Sequence, residues 1–179
     1  SRVAIQSGAL RLFPPEVLGS HVGPAPAHAT GRSQSMDFRC AVACFGHMGI
    51  EADVRLLPQA ERETLAQWVA FYKQWRDVMH HGRFFQGHTP QGCTWWLSLT
   101  DTQAVLAVFT VQAPDYAHRP PLRLPSAMAT GAWRVRLLRE AGQPRARHDA
   151  PAPWRDAVRT EGVLIGGDEL CVLGLPLPV

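Results

Sequence analysis

Residues 13–39 read FPPEVLGSHVGPAPAHATGRSQSMDFR, and this stretch decides the fold. Its Pro-Pro pair ends any preceding helix, because proline donates no backbone N–H and restricts the residue before it to extended geometry. The apolar run that follows, through Val22, predicts a strand that Gly23-Pro24 ends. A helix comes next, and in strand-then-helix architectures ligands bind at the loop after the strand's carboxyl end.

Four polar side chains of this stretch belong to that edge: Ser20, His21, His28 and Arg32. A histidine at a strand end either hydrogen-bonds a ligand or is satisfied by backbone carbonyls. Arg32 either meets a ligand or anchors the loop through a carboxylate. The residues alone leave both alternatives open, with the structural role of the histidines the commoner one.

Helical and strand patterns surround this stretch. Residues 2–12 place apolar side chains loosely on one helical face. Ser35 is suited to cap a helix over residues 36–48, with Gly49 at its C-terminal end. Residues 50–57, IEADVRLL, alternate apolar and polar, which predicts a half-buried strand.

Two carboxylates, Glu51 and Asp53, share one face of that predicted strand. The paired acids of a glycosidase must flank the scissile bond, about 5 to 5.5 Å apart in retaining enzymes. Neighbours on one strand edge cannot do so. A catalytic role for this pair is therefore disfavoured.

Residues 58–81 give the clearest helix, with apolar positions at i, i+3, i+4 and i+7 and Gly82 as its stop. His80 and His81 are adjacent at its end, so they point about 100° apart and cannot share one metal ion. We interpret the two histidines as a solvated helix end.

Beyond Gly82 short apolar segments recur between turn residues, which is typical of an antiparallel sandwich. The predicted strands are residues 83–86, 94–99, 104–111, 122–124, 132–138, 163–165 and 170–173. Residues 166–168, Gly-Gly-Asp, suit a hairpin turn, and residues 142–153 read as a polar, proline-rich loop.

Tryptophans in this half, at positions 95, 96, 133 and 154, are compatible with sugar stacking, although core packing is favoured. Adjacent strand residues point to opposite faces. Only one of Trp95 and Trp96 can therefore lie in the core.

The composition is that of a globular chain, with 46% hydrophobic and 18% charged residues. A net charge of +3 without a basic stripe argues against nucleic-acid binding. No apolar run is long enough to span a membrane. The four cysteines suit free thiols in a reducing, cytoplasmic setting, and neither a metal site nor a cofactor is expected.

Several short blocks form a combination that is specific to one family: Pro14-Pro15-Glu16, Leu18-Gly19-Ser20-His21-Val22, His28, Thr30-Gly31-Arg32, Phe38-Arg39, Phe45-Gly46 and Gly49-Ile50-Glu51. Together they resemble the late part of the catalytic domain of bacterial α-galactosidases of glycoside hydrolase family 36, the melibiase group. A complete (β/α)8 barrel takes about 250 residues. The resemblance therefore implies an α+β chain: residues 1–82 are the last strand and helix units of a barrel, and residues 83–179 are an antiparallel β-sandwich.

The resemblance also implies a function, the retaining hydrolysis of terminal α-linked galactose from oligosaccharides. Ser20, His21, His28 and Arg32 would lie at the rim of the galactoside pocket, whereas both catalytic carboxylates would lie upstream of residue 1. The chain alone should then be inactive. The alternative is a non-catalytic module that binds sugar or protein, and formation of a homo-oligomer stays open.

Overall fold

A computed structural model of the chain describes residues 2–28, 30–90, 92–111, 120–142 and 152–177. They form two compact units, the first from residues 1–88 and 93–111, the second from residues 89–92 and 112–179. The described residues have an α+β arrangement, with one parallel strand pair and two antiparallel sheets among them. The predicted domain boundary at Gly82 concerns the domains of the family and stays a prediction. The two compact units divide the chain elsewhere, on either side of residues 89–92 and after residue 111.

The first unit opens with a helix and a strand–helix–strand motif. Helix α1 (Arg2–Ala9) precedes strand β1 (Gly19–Val22), helix α2 (Met36–Ala43) and strand β2 (His47–Ile50). The two strands pair in parallel, with Gly19 opposite His47 and Val22 opposite Ile50. The strand predicted before Gly23 is confirmed.

Helix α2 starts where the sequence predicts, because the side chain of Ser35 accepts a hydrogen bond from the Phe38 backbone N–H. It ends at Ala43 rather than at residue 48, so Gly49 is not its C-terminal cap. The chain turns at Gly46 so that His47 can donate its backbone N–H to the Leu18 carbonyl, 2.8 Å away. Pairing with β1 therefore overrides the helical spacing of residues 45–48.

The strand predicted over residues 50–57 is also wrong. Pairing ends when Glu51 donates its N–H to the Val22 carbonyl, and a short 3₁₀ turn, Val54–Leu56, follows. The Asp53 side chain caps this turn by accepting the Arg55 N–H at 3.0 Å. The alternating apolar side chains of this segment are largely exposed, Leu56 by 81%.

Helix α3 (Gln59–His81) confirms the strongest helical pattern of the sequence. Its inward face buries Leu65, Trp68 and Met79. Gly82 ends it as expected, although the reason is close packing and not a positive φ. A Cβ atom at Gly82 would lie 2.5 Å from the Val78 carbonyl oxygen and 2.9 Å from the Leu99 nitrogen.

The end of α3 differs from the solvated end that we expected, because His80 is buried while His81 is exposed. Nε2 of His80 lies 3.0 Å from the Gly46 carbonyl, and its ring packs edge-on against those of His47 and Tyr72. His80 thus holds the end of α3 against the turn before β2.

A three-stranded antiparallel sheet completes the first unit. Its strands are β3 (Arg83–His88), β4 (Cys93–Leu99) and β5 (Ala104–Thr110), with β4 in the centre. Of the two adjacent tryptophans on β4, Trp96 is fully buried and Trp95 is partly exposed, which confirms the expected alternation.

Trp96 joins this sheet to the strand–helix–strand part. Its ring packs edge-on against Phe109 of β5 and against Phe45, two residues after α2, with ring centroids 4.6 and 5.7 Å apart. Its N–H donates to the Ser7 hydroxyl of α1 at 3.0 Å. The polar end of the indole is therefore satisfied inside the core, as a buried N–H requires.

In its described part the second unit has two strands, β6 (Ala132–Val135) and β7 (Val163–Gly166). They pair antiparallel, and helix α4 (Ala152–Arg159) lies between them in sequence. Leu122, in a predicted strand, forms only an isolated bridge with Leu175. The loop expected over residues 142–153 ends earlier than predicted, because Ala152 already belongs to α4, and its residues 143–151 lie outside the described part.

The last predicted strand, residues 170–173, is wrong, since helix α5 (Gly167–Val172) occupies it. Residues 166–168 accordingly begin a helix and do not form a hairpin turn. The Glu169 carboxylate accepts the Gly166 N–H at 3.0 Å, and Asp168 adds a second negative charge to the first turn. Both favour helix initiation here over an extended chain.

Replacing Gly46 by alanine should destabilise the chain by about 1–3 kcal/mol, the usual cost of overpacking a core. The added Cβ atom would clash with the Leu18 carbonyl oxygen and lie 3.0 Å from Ser20 Cβ. Chemical unfolding followed by tryptophan fluorescence measures this change. Gly8→Ala is the matched control, because nothing lies within 4 Å of a Cβ atom there. It should stabilise α1 by about 0.5–1 kcal/mol, and equal stabilities of the two variants would contradict the close approach at Gly46.

His80→Gln should flatten the pH dependence of stability. Burial lowers the pKa of His80 below its ordinary value of 6.5, helped by the neighbouring His47 and His81 and opposed by its bond to Gly46 and by Glu16. The unfolded chain then binds a proton at this residue more readily than the folded chain does. The stabilisation by the neutral ring is complete above the unfolded pKa and is lost as the pH falls through the lower folded pKa.

Urea midpoints measured from about pH 7.5 down to about pH 5 test this linkage. His28→Gln, at an exposed position whose histidine does not contribute to the lowered pKa of His80, is the control and should keep the slope of the parent chain. A parent slope that survives in His80→Gln would show that other groups cause the pH dependence.

Candidate functional site

The candidate site is the carboxyl edge of the β1–β2 pair, where Val22 and Ile50 end neighbouring parallel strands. The two faces of β1 differ: Ser20 and Val22 are buried, whereas Gly19 and His21 are exposed. We call residues 24–28 and 30–34, which follow β1, the rim loop. The exposed face of β1 and the rim loop hold three of the four residues that the sequence singles out, His21, His28 and Arg32, whereas Ser20 lies on the buried face of β1.

Ser20 lies on the buried face of β1, 2% exposed. Its hydroxyl accepts a hydrogen bond from the Gln6 side-chain amide of α1. The hydroxyl therefore faces the helix that packs on the strand and is already partnered.

His21 lies on the opposite face, with its ring over the glycine of the neighbouring strand. A Cβ atom at Gly49 would lie 3.0 Å from His21 Nε2, and one at Gly19 would lie 3.8 Å from its Cε1. Glycine at 49 thus leaves the space that the imidazole fills. Ser20 and His21 do not converge, because they point to different faces of the strand.

His28 and Arg32 are both exposed on the rim loop. Three backbone hydrogen bonds join described residues of the loop: Ala27 donates to the Arg32 carbonyl at 2.9 Å, and Thr30 and Gly31 donate to the Ala27 carbonyl at 3.2 and 2.8 Å. Gly31 has a φ of +65°, which favours glycine at this turn. The loop backbone therefore presents His28 and Arg32 from a closed turn.

Two arginines that the sequence reasoning left without a role hold the carboxyl end of β1. Arg2 of α1 donates to the His21 carbonyl at 2.5 Å. Arg39 of α2 donates to the Gly23 carbonyl at 2.8 Å and pairs with Glu61 of α3 at 2.9 Å. The only sequence signal was the position of Arg39 within a block that carries the family resemblance.

The two carboxylates near this edge do not form a pair. Glu51 follows β2 directly, but Asp53 is held by two side-chain hydrogen bonds from Arg55, at 2.9 and 2.7 Å. The Arg55 guanidinium keeps the pKa of the Asp53 carboxyl below its usual value. Asp53 is therefore an ionised cap of a short turn and is poorly suited to donate a proton.

The cysteines offer no nucleophile at this edge. Burial raises the pKa of the Cys44 thiol to about 12, and the neighbouring Cys40 adds to the rise. Such a thiol stays protonated at neutral pH, whereas the thiolate is the reactive form. Among the described residues, no three His, Cys, Asp or Glu side chains are grouped so that they could hold a metal ion.

The tryptophans considered for sugar stacking are engaged in packing at several positions. Trp96 is buried, the Trp95 ring lies against Gly87, and the Trp133 N–H donates to the Met128 carbonyl at 3.0 Å. Trp154 is partly buried on α4. In the part of the chain that the structure describes, no helix is both long and apolar enough to cross a membrane.

Comparison with known proteins identifies relatives along nearly the whole chain. The melibiase family model matches residues 1–82. An α-galactosidase of Escherichia coli is 34% identical over 143 residues, 76% of this chain and 20% of the relative. The α-galactosidase AgaA of Geobacillus stearothermophilus is 30% identical over 182 residues, 99% of this chain and 22% of the relative.

Solved structures agree with this match. The crystal structure of AgaA, described as a glycoside hydrolase family 36 enzyme, superposes with a TM-score of 0.79 at 28% identity, over 99% of this chain and 22% of that one. A variant of AgaA in complex with stachyose superposes with a TM-score of 0.75. The chain thus spans about a fifth of the length of the relatives it matches, and it belongs to the melibiase family of α-galactosidases.

Proposed function

We propose that this chain is the C-terminal part of an α-galactosidase that releases terminal α-linked galactose from oligosaccharides. The observation that carries the proposal is the superposition of 99% of the chain on AgaA with a TM-score of 0.79. The complex of an AgaA variant with stachyose names the substrate class, a galactoside oligosaccharide.

In this proposal β1 and β2 are neighbouring strands of a (β/α)8 barrel. Their parallel register and the helix that connects them suit such a unit, and their carboxyl ends would face the barrel mouth, where these enzymes act. The face of β1 that carries Ser20 and Val22 packs toward helices, so the face that carries His21 would line the barrel interior. Gly19 and Gly49 have no side chains on that face, which leaves space for the imidazole of His21 to lie across it.

Within that pocket we assign His21, His28 and Arg32 to the rim, where an imidazole or guanidinium can hydrogen-bond sugar hydroxyls. Ser20, proposed with them from the sequence, would support the rim from the buried face of β1, where its hydroxyl accepts a hydrogen bond from Gln6. No residue of the chain is assigned to the chemical step.

Retaining hydrolysis needs one carboxylate as nucleophile and a second as general acid and then base. Glu51 and Asp53 do not supply this pair, because Asp53 is bound to Arg55. We therefore place both acids in the four fifths of the relatives' length that this chain does not match. The chain by itself is expected to be inactive.

We also propose the division into a barrel part, residues 1–82, and an antiparallel sandwich, residues 83–179. The end of the family match at residue 82 supports the first boundary. The cytoplasmic location and the formation of a homo-oligomer stay predictions.

A chimera tests the function. This chain replaces the matching segment of AgaA, and the chimera should hydrolyse a chromogenic α-galactoside well above background, because the relative supplies the two acids. Thermal unfolding first establishes that the chimera folds. A folded chimera without turnover would contradict the assignment.

The same chimera tests the rim. His21→Gln should lower kcat/KM about tenfold, the loss expected for one hydrogen bond to substrate of about 1.4 kcal/mol. His81→Gln, an exposed histidine at the end of α3, is the matched control and should leave kcat/KM unchanged. Equal effects of the two substitutions would remove His21 from the pocket.

The isolated chain should show no turnover of the same substrate, with intact AgaA as the positive control. Measurable hydrolysis by the chain alone would place the acids within it and overturn the proposed division of labour. A galactose titration of the isolated chain, followed by NMR, tests the alternative of a sugar-binding module. Binding there would favour that alternative.

A further inference from the structure

The rim loop is held at two levels. Its neck is closed by the backbone hydrogen bonds between Ala27, Gly31 and Arg32. Its base, where β1 ends and α2 begins, is held by a side chain: Arg39, one turn into α2, reaches back to the Gly23 carbonyl at 2.8 Å. The strand end and the helix start are thus joined directly across the loop.

The guanidinium of Arg39 also makes a second contact, to the Glu61 carboxylate in the first turn of α3 at 2.9 Å. The Arg39 side chain is only 10% exposed and Glu61 is 37% exposed, so the pair is screened less than a surface ion pair. The residue that follows β1, helix α2 and the first turn of α3 therefore meet at one planar group whose donors have fixed geometry.

Lysine would not reproduce this arrangement. An ammonium is a single flexible point charge, whereas the guanidinium presents separate nitrogens to the Gly23 carbonyl and to the Glu61 carboxylate. Stability alone does not explain the pair, because replacing both partners of a buried ion pair by well-packed apolar residues is often neutral for stability. The presence of arginine at position 39 is better explained by the fixed arrangement of Gly23 and Glu61 around its guanidinium.

We propose that Arg39 is the positioning residue of the rim loop, which fixes where His28 and Arg32 stand relative to the end of β1. The purpose of that placement, contact with a galactoside, rests on the function proposed above. The placement itself does not, and it is measured without substrate.

Amide hydrogen exchange of the full 179-residue chain, followed residue by residue by NMR, tests this role. In Arg39→Met the amides of Ala27 and Gly31 should exchange about tenfold faster or more, because their hydrogen bonds open when the loop base is released. Amides inside α3 should keep their rates to within about twofold. Arg39→Lys, which restores one charged donor, should recover part of the protection.

Arg55→Met is the matched control, because Arg55 is an exposed arginine whose ion pair with Asp53 is local to its own turn. It should leave the exchange of Ala27 and Gly31 unchanged. Unchanged exchange in Arg39→Met would overturn the proposal. So would faster exchange in α3 to the same degree as in the loop, since that pattern marks a general loss of stability.

This result and the activity of the chimera are independent. A folded but inactive chimera with faster loop exchange in Arg39→Met would refute the galactosidase function and keep the positioning role. An active chimera with unchanged loop exchange in Arg39→Met would support the galactosidase function and refute the positioning role.

Discussion

The first compact unit depends on the buried indole of Trp96. Its ring contacts Phe45 and Phe109, and its N–H is accepted by Ser7, a residue 89 positions earlier in the chain. Such a long-range contact has a high cost in loop-closure entropy. Only assembly of the whole core offsets that cost. The sheet β3–β5 and the strand–helix–strand part therefore stabilise each other.

Close approach of backbone segments is the second constraint. Gly46 lies under the Leu18 carbonyl, Gly82 lies against Leu99, and Gly49 lies beneath the His21 ring. Each glycine brings two elements closer than any side chain would allow. The position of the candidate site follows from this, because the turn at Gly46 sets the register of β1 against β2 and hence the edge at which both strands end.

The sequence predicts an element correctly where interactions between neighbouring residues determine it. The Ser35 cap, the amphipathic period of α3 and the alternation of Trp95 and Trp96 are local signals, and all three are found. The elements predicted wrongly are those that depend on whether a partner distant in the sequence is present. Residues 47 and 48 follow the helical period but pair with β1, and residues 51–57 alternate like a strand but, beyond the Glu51 bond to Val22, have no partner strand among the described residues.

The same limit applies to the site. The sequence placed Ser20 and His21 together at one edge, yet the pleat of β1 sends them to opposite faces. His80 was expected in solvent because its pattern marks a helix end, and only the fold shows that the turn at Gly46 covers it. Arg39 could not be given a role from the sequence, since its partners Gly23 and Glu61 lie 16 and 22 positions away.

The unequal burial of the four thiols has a practical consequence. Cys40, Cys44 and Cys93 are buried, and only Cys171 on α5 is partly accessible. Thiol chemistry requires access and a thiolate; burial denies Cys44 the first, and its raised pKa denies it the second. A maleimide fluorophore or spin label added to the native chain will therefore attach first at Cys171, which gives the second compact unit a single natural reporter without any engineered cysteine.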